Sequence, residues 1–455
     1  MELPVAVRQA LGEAASEVSL RDLGQARQEQ LLRMVLLSDD QGSLQAICRH
    51  GDLLDISALN KKLNRDLRMM NKRDQAQARQ RAGLSEMPPL PSLTGWRTVV
   101  DERVDRMSSV AIALVEQNLC LVMPREDFQA VIQSAERHSF SVASDSIAVN
   151  LDSPEEDQAQ LHSAIRKFTS LRIQQRLEDT LELPPLPETA QRIIHLRVNP
   201  NAVMGDLVDV VESDPSLAAQ VVSWASSSFY AAAGQVKSVH DAVSRVLGFD
   251  LVMNLAMGLS LGRALKTPQD HPEGYVDYWQ QAIWQAQSSG ILASMMPRGQ
   301  RPVFGLSYLA GLLHNFGYLV LAQVFPPHFK LVCRNLEVNP HMDSSVVEHF
   351  LLGVSREQIA SQLMQNWGMP DEVNLAIRYQ KNPGYDGPYA VYGKLLWLGR
   401  QLLIERGVAL GAGQEVPSEL YASLGLDRDK VSEQFDQLVE SKDVVMAMAG
   451  MMNPQ

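Results

Sequence analysis

Alternating apolar and polar side chains set the first third of the chain apart from the rest. Arg33–Ser38 (Arg-Met-Val-Leu-Leu-Ser) has the texture of a strand, the turn-forming Asp39-Asp40-Gln41-Gly42 follows, and Ser43–Cys48 is a second strand-like run. A hairpin of this kind is expected to bury alternate residues, here Leu44, Ala46 and Cys48. Ser109–Val115 and Leu119–Val122 repeat the pattern around Glu116-Gln117-Asn118, with Val110, Ile112 and Leu114 on one face. Between the hairpins, Ser57 to Arg81 reads as a polar helical stretch and Met87-Pro88-Pro89-Leu90-Pro91 as a loop. These elements predict a small mixed sheet crossed by helices.

Beyond about residue 150 the period becomes helical. Acidic Leu151–Asp157, with Pro154 as a helix start, leads into Gln158–Asp179, where Leu161, Ile165, Phe168, Leu171 and Ile173 are the apolar positions. Ser213-Asp214-Pro215 supplies an N-cap residue and an early-turn proline ahead of Leu217, Val221 and Trp224. Ser238 precedes Val239, Ala242, Val243, Val246 and Leu247, and Gly248 is placed to end that helix. Leu426–Met452 predicts one or two helices running into a methionine-rich tail, Met446–Met452. Val303–Phe325 carries no charged side chain and is long enough to span a bilayer. Its Ser307, His314, Asn315 and Gln323, with three interrupting glycines, point instead to a buried core helix, so no membrane insertion is expected. Trp224, Trp279, Trp284, Trp367 and Trp397 are expected in the core.

Composition narrows the picture. At 455 residues the chain is too long for one ordinary core. A net charge of −12 argues against wholesale binding to nucleic acid or anionic membrane, while leaving room for a local basic patch. Cys48, Cys120 and Cys333 form no Cys-x-x-Cys pair, so neither a disulfide framework nor a cysteine zinc site is expected. The start Met-Glu-Leu-Pro-Val has no signal-peptide pattern, and a cytoplasmic location is the expectation.

The chemistry centres on Gly311-Leu-Leu-His-Asn-Phe-Gly317. The run resembles the Gly-Leu-Leu-His-Asp-hydrophobic-Gly motif of HD-superfamily phosphohydrolases, where adjacent His and Asp on a buried helix bind a divalent metal. Asn315 offers a carbonyl oxygen without the charge that hard cations need. Leu183-Pro-Pro-Leu-Pro187, Asp214-Pro-Ser-Leu-Ala218, Ser238-Val-His-Asp-Ala-Val243, Gly311–Leu321, Leu352-Gly-Val-Ser355 and Trp367-Gly-Met-Pro370 together resemble an HDOD domain over about residues 180 to 400. That resemblance implies an all-helical relative of the HD enzymes that generally lacks hydrolase activity and serves bacterial signalling. At the positions where the relatives place metal ligands, this chain has Gln281, His314, Asn315, Arg356, Gln380 and Lys381. One imidazole, amides and cations are not a hydrolytic donor set, so no metal and no cofactor is expected. His314 is expected to be a core histidine, Asn315 to make a local hydrogen bond, and Gly317 to permit close helix packing. The cleft left behind has Arg356, Arg378 and Lys381 as candidate anion contacts.

Residues of about 10 to 145 resemble the YbaK/prolyl-tRNA-synthetase-associated domain, an aminoacyl-tRNA deacylase fold. The resemblance rests on Arg33–Ser38, Gly83 with Met87-Pro88-Pro89-Leu90, and Val99-Val100-Asp101-Glu102. It implies a lysine on the early strand that polarises the ester. This chain has Leu32-Arg33-Met34 there, leaving Arg33 as the candidate replacement. Lys61, Lys62, Arg65 and Arg68, followed by Lys72, Arg73, Arg79 and Arg81, form a basic stretch that is either a solvated helix face or a tRNA contact.

The expected architecture is therefore multidomain. A YbaK-like α/β domain (1–150) is followed by a linker helix (151–182), an all-α HDOD domain (183–400) and a helical extension (401–455). The leading functional expectation is a non-catalytic bacterial regulatory protein whose HDOD module binds protein partners or a nucleotide second messenger. The alternatives are an aminoacyl-tRNA deacylase acting through the N-terminal domain and, behind it, a metal-dependent phosphohydrolase.

Overall fold

The computed structural model describes residues 3–12, 14, 18–25, 30–174, 185–227, 230, 235–265, 267–272, 275–409, 411–450 and 452. The chain divides into two units, one of Met1–Ala148 with Lys330–Met342, the other of Val149–Phe329 with Asp343–Gln455. The first unit is thus not the continuous stretch 1–150: a piece of chain from nearly two hundred residues downstream belongs to it.

The first unit is built on strands β1 (Ser19–Asp22), β2 (Leu31–Asp39), β3 (Gly42–Arg49), β4 (Asp52–Leu54), β5 (Arg68–Met69), β6 (Arg97–Asp101), β7 (Ser109–Leu114), β8 (Leu119–Pro124), β9 (Glu136–His138) and β10 (Ser141–Ala143). The main sheet runs β1-β8-β7-β2-β3-β6-β9, with β5 paired to β2; β10 and β4 form a separate pair. Both expected hairpins are present as antiparallel pairs, β2–β3 and β7–β8. Helices α1 (Val5–Leu11), α2 (Ile56–Leu63), α3 (Lys72–Ala82) and α4 (Arg125–Val131) accompany the sheet.

One-faced burial of β3 does not hold. Gln45 and Ile47 are as fully buried as Leu44, Ala46 and Cys48. Successive strand residues point to opposite faces, and here both faces are covered. Val35, Leu37, Leu44, Ala46 and Cys48 pack with α2 residues Ile56 and Leu59 and with Val338. On the other face Ile47, Val100 and Ile112 pack with Val7, Leu11, Phe128 and Ile132.

The single helical stretch expected over 57–81 is two helices separated by β5. Asn64, in the left-handed conformation at φ 51°, ends α2, and Asn71 opens α3 by accepting the Asp74 N–H. Leu36 and Met70 pack with Ala78 of α3, whereas α2 packs with Val35 and Leu37. The two helices therefore lie on opposite faces of the sheet, and the basic residues do not make one stripe.

The second unit is all helical: α5 (Asp157–Gln174), α6 (Glu188–Val198), α7 (Met204–Glu212), α8 (Pro215–Ala225), α9 (Val239–Asp241), α10 (Phe249–Ala264), α11 (Tyr278–Met295), α12 (Phe304–Leu313), α13 (Phe316–Val324), α14 (Pro326–Val338, whose last turns belong to the first unit), α15 (Ser344–Leu352), α16 (Arg356–Asn366), α17 (Asp371–Tyr379), α18 (Ala390–Glu405), α19 (Ser418–Leu424), α20 (Arg428–Glu440) and α21 (Lys442–Gly450). A π-type turn over Ala242–Leu247 extends α9 to Gly248, which takes φ 81°. Asp214 and Ser238 cap α8 and α9 through their side chains. The C-terminal segment is part of this unit, since α20 and α21 both pack on α11.

The start of the connecting helix also belongs here, with Asp157 4% exposed. The side chains of Phe168, Leu171 and Ile173, residues 175–184 and Met451 fall outside the described residues. Phe304–Val324 is apolar enough to cross a membrane, yet 89% of that window is buried in the unit. It is also broken into α12 and α13 at His314–Asn315, so this pair sits at a helix junction and not on one continuous buried helix. Trp224, Trp279, Trp284 and Trp397 are buried, while Trp367 is half-buried with its ring edge-on to Phe316.

Candidate functional site

Five of the six positions read as remnants of a metal site form one hydrogen-bonded cluster. Gln281 comes from α11, His314 and Asn315 from the α12–α13 junction, Arg356 from the first turn of α16 and Gln380 from just past α17. Asn315 Nδ2 donates to Gln281 Oε1 at 3.3 Å and to the Tyr275 hydroxyl at 3.0 Å. Arg356 Nη1 donates to Asn315 Oδ1 at 3.0 Å, and Gln380 Nε2 donates to the His314 carbonyl at 2.8 Å. Close approach makes this possible: a Cβ on Gly317 would fall 2.1 Å from the Arg356 carbonyl oxygen. Any side chain there would push α16 away from α13.

His314 Nδ1 lies 2.8 Å from the Gly311 carbonyl, which fixes the proton on Nδ1. A fringe of the residue stays exposed, but burial of the ring is the main influence and pushes its pKa down to about 3; Arg400, Lys381 and Arg356 act in the same direction. A neutral folded imidazole contributes stability above the unfolded value of about 6.5 and loses it as pH falls. His314 should therefore show no protonation step in an NMR titration from about pH 8 to 5. The urea midpoint should fall over the same range, and a His314 shift change centred near 6.5 would refute the buried, neutral assignment.

The three candidate anion contacts are each engaged by a carboxylate. Arg356 forms an ion pair with Glu348, whose side chain is fully buried, and its backbone N–H donates to Glu348 Oε2 at 2.9 Å. Burial raises the Glu348 pKa against the pull of Arg356, and nearby Glu357 adds to the rise. Burial opposes the charge of Arg356 as well, but the Glu348 contact raises its pKa overall and keeps it cationic. Arg378 grips Asp157 through Nε and Nη2 (2.9 Å), with side chains 2% and 6% exposed, and its Nη2 also donates to the Asn150 carbonyl at 3.1 Å. Lys381 shares Asp343 with Arg400, and these two cations pull that carboxyl below its usual range although burial opposes them. Each of Arg356, Arg378 and Lys381 is thus paired with a carboxylate of its own unit.

The donor set does not fit a divalent metal either. Among the described residues no group of three or more His, Cys, Asp or Glu side chains could hold one. The oxygen of Asn315 faces a guanidinium, and the only imidazole donates to a carbonyl.

In the first unit, Arg33 on β2 is likewise engaged. Its Nη1 donates to the Val338 carbonyl and its Nη2 to Asn339 Oδ1, both at 2.7 Å. Asn339 Oδ1 also accepts from the Leu54 N–H at 2.8 Å, and its Nδ2 donates to the Leu54 and Asn335 carbonyls at 2.9 Å. Beside it, burial pushes the Cys48 thiol up to about 11, which removes it as a nucleophile near neutral pH. Of the basic stretch, Arg65 is buried against Asp39, Arg68 pairs with Asp66 at 3.2 Å, and Lys61 and Lys62 are exposed at the end of α2. Asp101 carries no local signal in its surroundings along the chain, yet its buried carboxylate accepts the N–H groups of Arg103, Phe140 and Ser141. Nor does the local sequence mark Glu348, Asp343 and Asp157 as partners for the cations.

An HDOD domain family model matches residues 183–383. A candidate signal transduction protein from Marinobacter aquaeolei VT8, known from a crystal structure, is 75% identical; the alignment covers 99% of this chain and 100% of that one, with a TM-score of 0.91. An HDOD domain protein of unknown function from Geobacter sulfurreducens is 22% identical, covering 64% of this chain and 98% of that one with a TM-score of 0.51, a likeness of fold alone. An uncharacterised protein of Treponema pallidum (strain Nichols) is 25% identical over 213 residues. That match takes in 46% of this chain and 39% of the relative, so the chain spans less than half the length of the curated protein it matches.

Proposed function

Because the chain belongs to the HDOD-domain family, we propose that its helical unit is a recognition module that binds a protein partner in bacterial signalling and performs no metal-dependent hydrolysis. One observation carries the reading: the Arg356 guanidinium, bonded to Asn315 Oδ1 and paired with Glu348, stands among the positions that would have to supply a metal shell. A fixed cation there puts protein charge where a metal would sit and leaves no open coordination position for water. Full engagement of Arg356 and Arg378 favours a protein partner over a nucleotide messenger. Deacylation by the first unit is disfavoured in the same way, because the cation that would polarise an ester already holds three oxygens, the backbone carbonyls of Val338 and Asp52 and Asn339 Oδ1.

The test uses purified protein incubated with Mn and Mg. Elemental analysis is expected to give well below about one metal per chain, and bis(p-nitrophenyl) phosphate is expected to turn over at the blank rate. Asn315→Asp alone should change neither result, since the new carboxylate would meet Arg356 first. A tight stoichiometric metal, or turnover abolished by chelation, would sink the non-catalytic reading. Affinity capture that yields a retained nucleotide and no reproducible protein would overturn the choice of partner.

A further inference from the structure

Helix α3 stands out in the first unit because it is held by so little. Of its side chains only Ala78 is buried. A helix of this length is marginal by itself in water, and one polar nearly all round owes little to packing. Both ends are nevertheless closed. Asn71 accepts the Asp74 N–H and donates to the Asp74 carboxylate, and Gly83, left-handed at φ 66°, returns its N–H to the carbonyls of Arg79 and Gln80. The helix is fixed in place while its outer face is left to solvent.

The helix is predominantly basic. Lys72, Arg73, Arg79 and Arg81 stand against the single carboxylate of Asp74, in a chain whose net charge is −12. Most arginines of this unit are in ion pairs or hydrogen bonds, as Arg33, Arg65, Arg97 and Arg103 are. Arg73, Arg79 and Arg81 have no ion pair among the described residues, and Arg73 and Arg81 are exposed.

We propose that the outer face of α3, through Arg73 and Arg81, docks an acidic segment of a partner protein. Arg73 and Arg81 are separated by about 12 Å along the axis. An extended chain covers that span with about four residues, so a short run of Asp and Glu can engage both ends of the face with forked, charge-assisted hydrogen bonds. Exposed Gln77 and Gln80 between them add donors and acceptors. No side chain larger than Ala76 offers apolar surface on that face, so an anionic membrane would have nothing to hold beyond charge. A long polyanion such as RNA would run past a helix of about 16 Å and come within the roughly 8 Å screening length of an acidic chain. A short acidic segment meets the helix alone.

The proposal concerns a different unit from the HDOD reading, whose own tests are metal content and hydrolysis, so the two fail separately. Full-length protein is titrated into a fluorescein-labelled octaglutamate peptide, followed by anisotropy. Binding is expected to weaken about tenfold between roughly 50 and 300 mM KCl, and about tenfold again in Arg73→Glu/Arg81→Glu. Lys61→Glu/Lys62→Glu, on the other face of the sheet, should leave it within about twofold. If that charge-reversed variant melts below wild type, the neutral pair Arg73→Gln/Arg81→Gln is read instead and should lose about threefold. No binding by wild type, or binding indifferent to these arginines, refutes the proposal. Tighter, arginine-dependent binding of labelled oligo(U) RNA or of phosphatidylglycerol vesicles refutes it as well.

Discussion

Arg356→Ala is expected to destabilise the helical unit by about 3–5 kcal/mol, the usual cost of stranding one member of a buried ion pair. Glu348, with its side chain fully buried, loses its guanidinium, while Glu357 remains close enough to raise its pKa further. Asn315 loses a donor to its side-chain oxygen in the same step. The deficit should grow with pH: a carboxyl whose folded pKa is raised contributes its stability when protonated and loses it as pH rises through the folded value. Urea denaturation at about pH 5 and 8 measures both the loss and its slope. Arg356→Met with Glu348→Gln should recover most of the loss, because removing both charges removes the uncompensated burial. A single variant within about 1 kcal/mol of wild type would mean that the pair is not the buried node described here.

A fragment ending at Ala148 is expected not to fold cooperatively. It lacks Val338, fully buried among Val35, Leu37 and Leu44, and burial of such a side chain contributes about 1.5–3 kcal/mol. It also leaves Arg33 and the Leu54 N–H and C=O without Asn339, at about 1–3 kcal/mol for each unsatisfied buried group. Together these losses are comparable to the 5–15 kcal/mol that about spans the stability of whole domains. Joining residues 326–343 to the fragment through a flexible linker should restore a sigmoidal unfolding curve. In the full chain Asn339→Ala should cost about 3 kcal/mol and speed amide exchange in β2 and β4. A fragment that unfolds cooperatively without the segment would show that Lys330–Met342 is an accessory to this unit and not part of its core.

The elements legible in the sequence were those written locally. Alternation gave the two hairpins, and the caps at Asp214 and Ser238 gave the helix starts. The order of motifs from Leu183 to Pro370 pointed to the HDOD family. What could not be read was pairing at a distance. Arg33 is completed by residues 305 and 306 positions away, and Arg378 by Asp157, 221 positions away. No local pattern announces such partners, so the sequence alone presents these cations as candidate anion contacts. The basic stretch misled for a related reason: composition cannot show that β5 and two asparagines place α2 and α3 on opposite faces of a sheet.

The discontinuous first unit carries a consequence for how the protein is made. Its final piece, Lys330–Met342, emerges nearly two hundred residues after Ala148. At about 5–20 residues per second that delay is about 10–40 s, during which the first 148 residues lack the segment whose Val338 completes their core. Slow translation would lengthen the time for which that incomplete unit is open to proteases.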